Sequence, residues 1–515
     1  MLIAAGALDN APLAADTLIV GAGTMGLLLG KILADAGRSV LVVEAGGRVA
    51  ATAANRTTTK AGTRPHRGTH DGRASGLGGT SVLWGGQLAE FDTQDFVQDY
   101  GPWPLQRSDL TVWYAAVYRR LGIGAPWSDA EYRSRLGGEQ GDAAGVERFF
   151  TSWLPEPNFA RLFKRDALAN PRLPILLDAT CTGIDFEGDR AVGVVIRVGE
   201  RTVRIAAGRV VLALGTIATC RFLLSTARNS AVPWRGNTRI GQRFQDHLAG
   251  RVASVVVSDE TRFRDYFENA VVDGIKLQPK LRFTPASRAS TPGTTGISGY
   301  FLFGSDFAEH SANIKQVVRA VRLTAGLSRL RSLPADLIAV GSNFAPFVWR
   351  YLRDRRVMAF YSKSLDFQVQ CEQRPIATSR IALTGDAPLA DGLYRAAVEW
   401  QVDGSEIERI AAFTAGVDTY LAERGIARLV IDPRVLARDL DFVRDMVDTN
   451  HQCGGAPMGT GPETGVVDRD LKVFGTANVY ITGAVVFPSS SHANCTLTAL
   501  ALTERLAAEL LARED

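Results

Sequence analysis

Cysteines are few and unpaired in this chain, and their arrangement excludes two classes of protein at once. Cys181, Cys220, Cys371, Cys453 and Cys495 are odd in number, widely scattered and without a CxxC pair. A disulfide framework needs pairs in a short chain and a zinc site needs close spacing, so neither is expected and no metal is assigned. Long apolar runs are missing too: none reaches the roughly 18 residues of a membrane span. The opening residues MLIAAGALDNAPLAAD carry no basic start and no twin arginine, so no export signal is expected and a cytoplasmic location is. Charge of one sign is not in excess either. The net charge of +4 is too small to point to nucleic acid.

What is present suits an α/β enzyme. The chain has 515 residues, enough for two domains sharing a large core, and its 51 glycines imply many tight turns. From Thr17 the run TLIVGAGTMGLLLGKILADAGRSVLVVEAGG reads as buried strand, glycine turn, helix and second strand. In its GxGxxG loop Gly21 permits the turn, Gly23 lets backbone approach a pyrophosphate, and Gly26 allows close helix packing, with Thr24 and Met25 opening the helix. Glu44, followed by Ala45, stands at about the 20-residue offset of a carboxylate that holds a ribose hydroxyl. Spacing alone does not choose FAD over NAD. The motif's place at the start of the chain, without a second copy, favours one permanently bound dinucleotide.

A second glycine-rich segment, GLGGTSVLWGGQL, crowds Gly78, Gly79, Gly85 and Gly86 around Thr80, Ser81 and Trp84, too closely for regular helix. Such backbone can lie flat against a planar ring, and Trp84 can equally be plain core. Chemistry concentrates in the stretch beginning at His451, HQCGGAPMGTGPETGVVDRDLKVFGTANVYITGAVVFPSSSHANCTLT. His451 and Asn494 flank a short strand, Val479 to Ile481, and beyond Asn494 the apolar residues recur at helical spacing. The helix amino terminus near Cys495 and Thr496 can stabilise negative charge on a ligand.

That stretch resembles the carboxy-terminal signature of the glucose-methanol-choline (GMC) oxidoreductases, FAD enzymes that oxidise alcohols and sugars. The resemblance implies His451 as catalytic base, Asn494 as ligand of the substrate oxygen, and His492 either assisting or simply buried. The family's usual threonine, cysteine and arginine are replaced here by Gly455, Ala456 and Pro457. GLGGTSVLWGGQL resembles the segment under the flavin; Leu83 occupies the position of the histidine that pyranose-oxidase-like members tie covalently to FAD, so noncovalent FAD is implied. GRVVLALGTIATCRFLL resembles the strand and helix closing the FAD domain, which adds Ala213, Gly215 and Thr219 as cofactor contacts. Cys181 matches an adenine-side position, Asp246 belongs to the family's Asp-His stretch IGQRFQDHL, and Gly483 and Ala484 precede the final loop. His247, beside Asp246, reads as catalytic or as half of a structural pair.

The fold implied is α/β: a Rossmann-like FAD-binding domain from residues 1–100, 171–250 and 450–515, and a discontinuous substrate domain from 101–170 and 251–449. The latter is expected to be an antiparallel sheet with helices roofing the flavin, including Ser379, Arg380 and Ile381. Tyr100 to Arg165 reads as mixed helix and loop, and Ile175 to Leu224 as an antiparallel meander returning to the main sheet. The loop Ala50 to Ser75, with Arg56, Lys60, Arg64, Arg67 and Arg73, reads as solvated, or as a basic flap near FAD phosphates or an anionic substrate. The basic, apolar insert 315–356 reads as a lid, or as a peripheral membrane or partner contact. The activity expected is oxidation of a sugar, glycoside or cyclitol alcohol, with the electron acceptor open. A redox-neutral lyase and a nonenzymatic flavin-binding protein are the alternatives.

Overall fold

The computed structural model describes residues 1–4, 14–136, 145–290, 296–305 and 344–513. Its first sheet is built on strands with continuous apolar character, as expected where helices cover both faces. Val40–Val43 is buried at every position, and so are the last four residues of Ala14–Val20. The strands run in the order Leu2–Ile3, Ile175–Leu176, Val40–Val43, Ala14–Val20, Arg201–Leu212, Arg190–Val198, Thr180–Glu187, with Val479–Ile481 also against Arg201–Leu212. The pairs around Ala14–Val20 are parallel, while the three strands from Thr180 to Leu212 form the expected antiparallel meander. Pieces far apart in the chain therefore share one sheet. Helices Thr24–Asp35 and Cys495–Ala512 pack against each other beside it.

Gly26 shows how tight this packing is. A β-carbon there would stand 1.9 Å from the Gly21 carbonyl oxygen, backbone that cannot step aside. Gly26→Ala is expected to cost about 3 kcal/mol, read as a lower denaturation midpoint at constant slope.

A second sheet of ten strands forms the roof, in the order Arg356–Val357, Asn269–Val272, Ile275–Phe283, Ile297–Gly304, Ser364–Cys371, Leu248–Val257, Ala427–Ile431. Val447–Asp448 pairs with Leu248–Val257, Val146–Trp153 with Ile275–Phe283, and Gln87–Leu88 with Val146–Trp153, all antiparallel. Along Ile275–Phe283 the period of two puts Leu277, Leu281 and Phe283 into the domain core, while Lys276, Gln278, Lys280 and Arg282 face the other way.

Two expectations are corrected. Tyr100 to Arg165 is not only helix and loop: Val146–Trp153 is a strand of the roof. Its partner lies over a hundred residues ahead, so no local pattern announces the pairing. Arg380 and Ile381 are not in the roof sheet; Arg380–Thr384 joins Arg395–Glu399 and Thr59–Ala61 in a separate three-stranded sheet. Ser379 precedes that strand, its hydroxyl donating to the Phe244 carbonyl. Most of the insert 315–356 lies outside the described residues. Of it, helix Phe344–Asp354 leaves Trp349 and Leu352 exposed and ties Arg350 to Asp265, Glu268 and Asp354.

Candidate active site

A cavity of about 910 Å³ opens where the glycine turn meets the first helix, within the range of roughly 300–1,000 Å³ usual for cofactor clefts. Gly21, Gly23, Thr24, Met25, Glu44, Ala45, Gly79, Thr80, Cys181, Ala213, Gly215, Gly483, Ala484 and Thr496 all line it. At Gly21 φ is +109°, and a β-carbon would meet the Ala213 carbonyl oxygen at 2.6 Å. Only glycine fits such backbone. The helix Thr24–Asp35 has its free N–H groups at the cavity, a setting suited to a pyrophosphate. The residues present thus fit a dinucleotide.

Glu44 is placed differently from a free ribose ligand. Its carboxylate accepts from Ala22 N (2.8 Å), Gly46 N (2.9 Å), Gly76 N (2.8 Å) and Ser75 Oγ (3.1 Å), which ties three loop segments around the cavity. Other expected contacts stand behind the lining. Gly26 packs on Gly21; Gly78 N–H donates to the Ala22 carbonyl; Ser81 Oγ donates to Gly78 O and accepts from Phe159 N. Trp84 Nε1–H donates to Pro157 O at 2.7 Å, and Gly85 and Gly86 sit against Trp153 and Leu154. Thr219 is buried in its helix. These positions shape the wall.

Sequence reasoning missed several residues that do line the cavity, Asn55, Arg221, Asn450 and Gln452, and named Arg73, also in the lining, only as part of a possible basic flap. The loop 50–75 is not simply solvated, since Asn55, Thr59, His66 and Thr69 are buried. Arg73 donates to Thr69 O and Thr59 Oγ1 and pairs with no carboxylate among the described residues. Burial, and then neighbouring Arg221, lower its pKa to about 10, so it stays a cation. The basic-flap reading accounts for such a charge. Arg73→Ala is expected to weaken FAD retention by about 10- to 100-fold, measured by ultrafiltration of released flavin. The loop carries no periodicity, so its composition was the only signal.

The His451 cluster is connected through hydrogen bonds whose directions follow from the fixed donors and acceptors at its ends. Asn494 caps the helix Cys495–Ala512, its Oδ1 accepting from Thr496 N at 2.9 Å. That leaves Nδ2 as the group 2.9 Å from His451 Nε2, so Nε2 must accept and carries no proton. On the other side of the ring, Nδ1 is 2.8 Å from Thr449 Oγ1 and 2.9 Å from His247 Nδ1. Gln370 Nε2 donates both to the His492 carbonyl and to His247 Nδ1, and His247 Nε2 faces the Ser490 carbonyl. His247 Nδ1 is therefore an acceptor, and the proton between the two rings is on His451 Nδ1. Burial, then His247 alongside, hold the His451 pKa down to about 3.

Asp246 lies beneath this ring and outside the cavity lining. Its Oδ1 accepts from His451 N (2.9 Å), Thr449 N (3.1 Å) and Thr449 Oγ1 (3.3 Å), while Oδ2 is 3.1 Å from His66 Nε2. It holds the His451 loop where a cofactor contact was expected. Cys495 likewise turns inward, with Sγ 3.6 Å from Cys453 Sγ and 3.9 Å from His247 Nε2. His492 is buried, edge-on to Phe149 with ring centroids 5.7 Å apart, and burial keeps it neutral. Glu372, which no motif singles out, accepts from Ser490 N (2.7 Å), Ser491 N (2.8 Å) and Tyr100 Oη (2.7 Å), fixing the loop that delivers Asn494. His66, Asp246 and Asp448 bring three ligand-type atoms within 4.8 Å of one another. Asp448 is already taken by the N–H groups of Arg67 and Gly68, and His66 by Asp246 and Thr69.

Two family models described as GMC oxidoreductase match residues 158–249 and 375–503. The chain is 24% identical over 378 residues to an "Alcohol dehydrogenase [acceptor]" of Pseudomonas putida, covering 69% of this chain and 61% of that protein. It therefore spans about three fifths of that relative's length. With an "Oxygen-dependent choline dehydrogenase" of Citrobacter koseri it shares 24% identity over an alignment of 576 residues, covering 97% and 95%. Among solved structures, pyridoxine 4-oxidase from Mesorbium loti superposes with TM-score 0.60 at 16% identity, covering 97% of this chain and all (100%) of that one. A fungal aryl-alcohol oxidase does so with TM-score 0.55 at 14% identity, covering 96% and 98%. At such identities these two likenesses concern the fold.

Proposed function

Because this chain belongs to the GMC family of FAD-dependent alcohol oxidoreductases, we propose that it oxidises the CH–OH carbon of a sugar, glycoside or cyclitol, with His451 as the base and FAD held noncovalently. When bound, FAD supplies the acceptor for the substrate's hydride. The observation that carries the reading is the 2.9 Å approach of His451 Nε2 to Asn494 Nδ2. A bare lone pair and an N–H donor converge there, the two groups an alcohol oxygen needs.

A hydroxyl that displaces this direct hydrogen bond donates to Nε2 and accepts from Nδ2. His451 Nε2 then takes the hydroxyl proton. The resulting imidazolium keeps its Nδ1–H, shared between His247 Nδ1 and Thr449 Oγ1, and the Thr449 hydroxyl proton points to the buried Asp246 carboxylate. That carboxylate offsets the new charge. Asn494 meanwhile stays anchored through its cap, so its amide does not rotate away. The free N–H groups at the start of Cys495–Ala512, beside Thr496 in the cavity wall, stabilise negative charge on a ring placed there.

Noncovalent retention is supported by Leu83, half-exposed and without a nucleophilic atom. Denaturation should release all flavin into the filtrate; flavin left on the precipitated chain would contradict this. The reaction itself is tested anaerobically. Polyols and glycosides should bleach the flavin absorbance of purified protein, and failure of every alcohol to do so would remove the proposal.

The lowered pKa of His451 gives a pH prediction with a definite sign. A histidine whose pKa is already near 3 stays unprotonated from pH 8 down to pH 5. The reduction rate constant per unit substrate should lack the roughly 30-fold acid-side loss that an imidazole of pKa about 6.5 would impose over that range. Stopped-flow reduction at graded pH reads this directly.

A further inference from the structure

One cation on the roof is not used by the reaction just described. Lys280 lies on strand Ile275–Phe283, on the face that carries Gln278 and Arg282 rather than the core residues Leu277 and Leu281. Cross-strand register sets Phe149 opposite it. Two residues along, Arg282 pairs with Ser298, and Ser298 with Gln370 on the next strand. Gln370 is the residue that donates to His247 and to the His492 carbonyl, and Phe149 is the ring that meets His492 edge-on. Lys280 therefore belongs to the same sheet face as the groups touching the catalytic loop, one row further out.

Its surroundings do not answer its charge. Lys280 is 5% exposed, its Nζ donates to Gln87 Oε1 at 3.0 Å, and it sits 5.0 Å above the Tyr300 ring. Among the described residues no carboxylate pairs with it. Arg282, its neighbour on the strand, shows the alternative: it is held by Asp92 (3.1 Å), Asp129 (2.8 Å) and Glu147 (2.8 Å). Burial lowers the Lys280 pKa to about 8, so at neutral pH the ammonium still predominates. Its field also reaches both His451 and His492. Holding a buried ammonium without a counter-ion is costly, and a lysine that only packed would keep its head in water.

We propose that Lys280 is a specificity-determining residue whose ammonium pairs with a carboxylate carried by the substrate, so that the preferred alcohols are acids such as uronic acids or hydroxymethyl-substituted carboxylic acids. The inference rests on oxidation taking place at His451 and names the substrate class for that site. Gln87 and the Tyr300 face hold Nζ in position, and the carboxylate supplies the missing charge. The hydroxyl then has to lie between His451 and Asn494, which orients the molecule at both ends.

The test uses FAD-loaded protein under anaerobic conditions and two matched pairs: glucuronate against glucose, and 4-(hydroxymethyl)benzoate against its amide. In the natural protein the acid of at least one pair should reduce the flavin about 10- to 100-fold faster per unit concentration than its neutral partner. Lys280→Met should collapse that ratio towards one, and Lys280→Arg should restore part of it, an effect that lost packing alone would not produce. Equal rates for acid and neutral partner in the natural protein overturn the inference, whether or not Lys280→Met folds. An acid preference that survives in Lys280→Met also overturns it. If neutral alcohols bleach the flavin and acids do not, only the Lys280 inference falls. If no alcohol of either kind does, the oxidation at His451 falls with it.

Discussion

His451→Ala is expected to slow flavin reduction by roughly 100- to 10,000-fold, the usual cost of losing a positioned general base. The expectation follows from where the ring nitrogens point. Nε2 is the unprotonated atom facing Asn494, and no other described side chain offers such a lone pair to the same amide. The FAD content should be little changed, because His451 is not part of the cavity lining while Asn450 and Gln452 on either side are. Stopped-flow reduction separates the two quantities: flavin absorbance before mixing reports occupancy, and the bleaching rate reports chemistry. Near-normal bleaching would move the base elsewhere.

The second large effect is expected at Asp246. Its carboxylate is wholly buried and serves the backbone N–H groups of Thr449 and His451 together with the His66 ring. Asp246→Ala leaves these donors without an acceptor, which at about 1–3 kcal/mol for each unmet buried group sums to about 3–5 kcal/mol of lost stability. Activity should fall too, since the imidazolium formed at His451 loses the carboxylate opposite it. The sign of the pH dependence follows from the direction of the shift. Burial alone would raise the Asp246 pKa, but the hydrogen bond and charge of His66, with His451 and His247 beyond, bring it below the ordinary value. A depressed carboxylate contributes stability that is present above about pH 4 and lost as pH falls through the folded value. The gap between natural and variant denaturation midpoints should thus be full at pH 7 and shrink in acid. A gap that grew on acidification would contradict the assignment.

Particular elements show why some of this was legible in the chain and some was not. The glycine turn at Gly21, the strands around it and the helix after Asn494 are local: each is decided by residues within one or two turns of one another. Gln370, Glu372 and Lys280 had no such signal, and at Asp246 the Asp-His stretch marked the residue without telling what it holds. Each acts on a partner more than a hundred residues away, and a lone acid, amide or lysine in a strand looks the same whether or not such a partner exists. The loop 50–75 reads as solvated because its charges lack periodicity, yet Arg73 is buried there by contacts from Thr59 and Thr69. Val146–Trp153 was hidden for the same reason as the roof residues, since a strand is confirmed by its neighbour.

By itself the sequence determined the glycine turn and the helix that begins after Asn494, because backbone sterics and helix capping act over a few residues. Only the tertiary structure decided which nitrogen of His451 is free, which carboxylate steadies it, and that an unanswered lysine looks down from the same roof. Those properties depend on burial and on distances between remote segments, and both arise only when the two sheets close around the cavity.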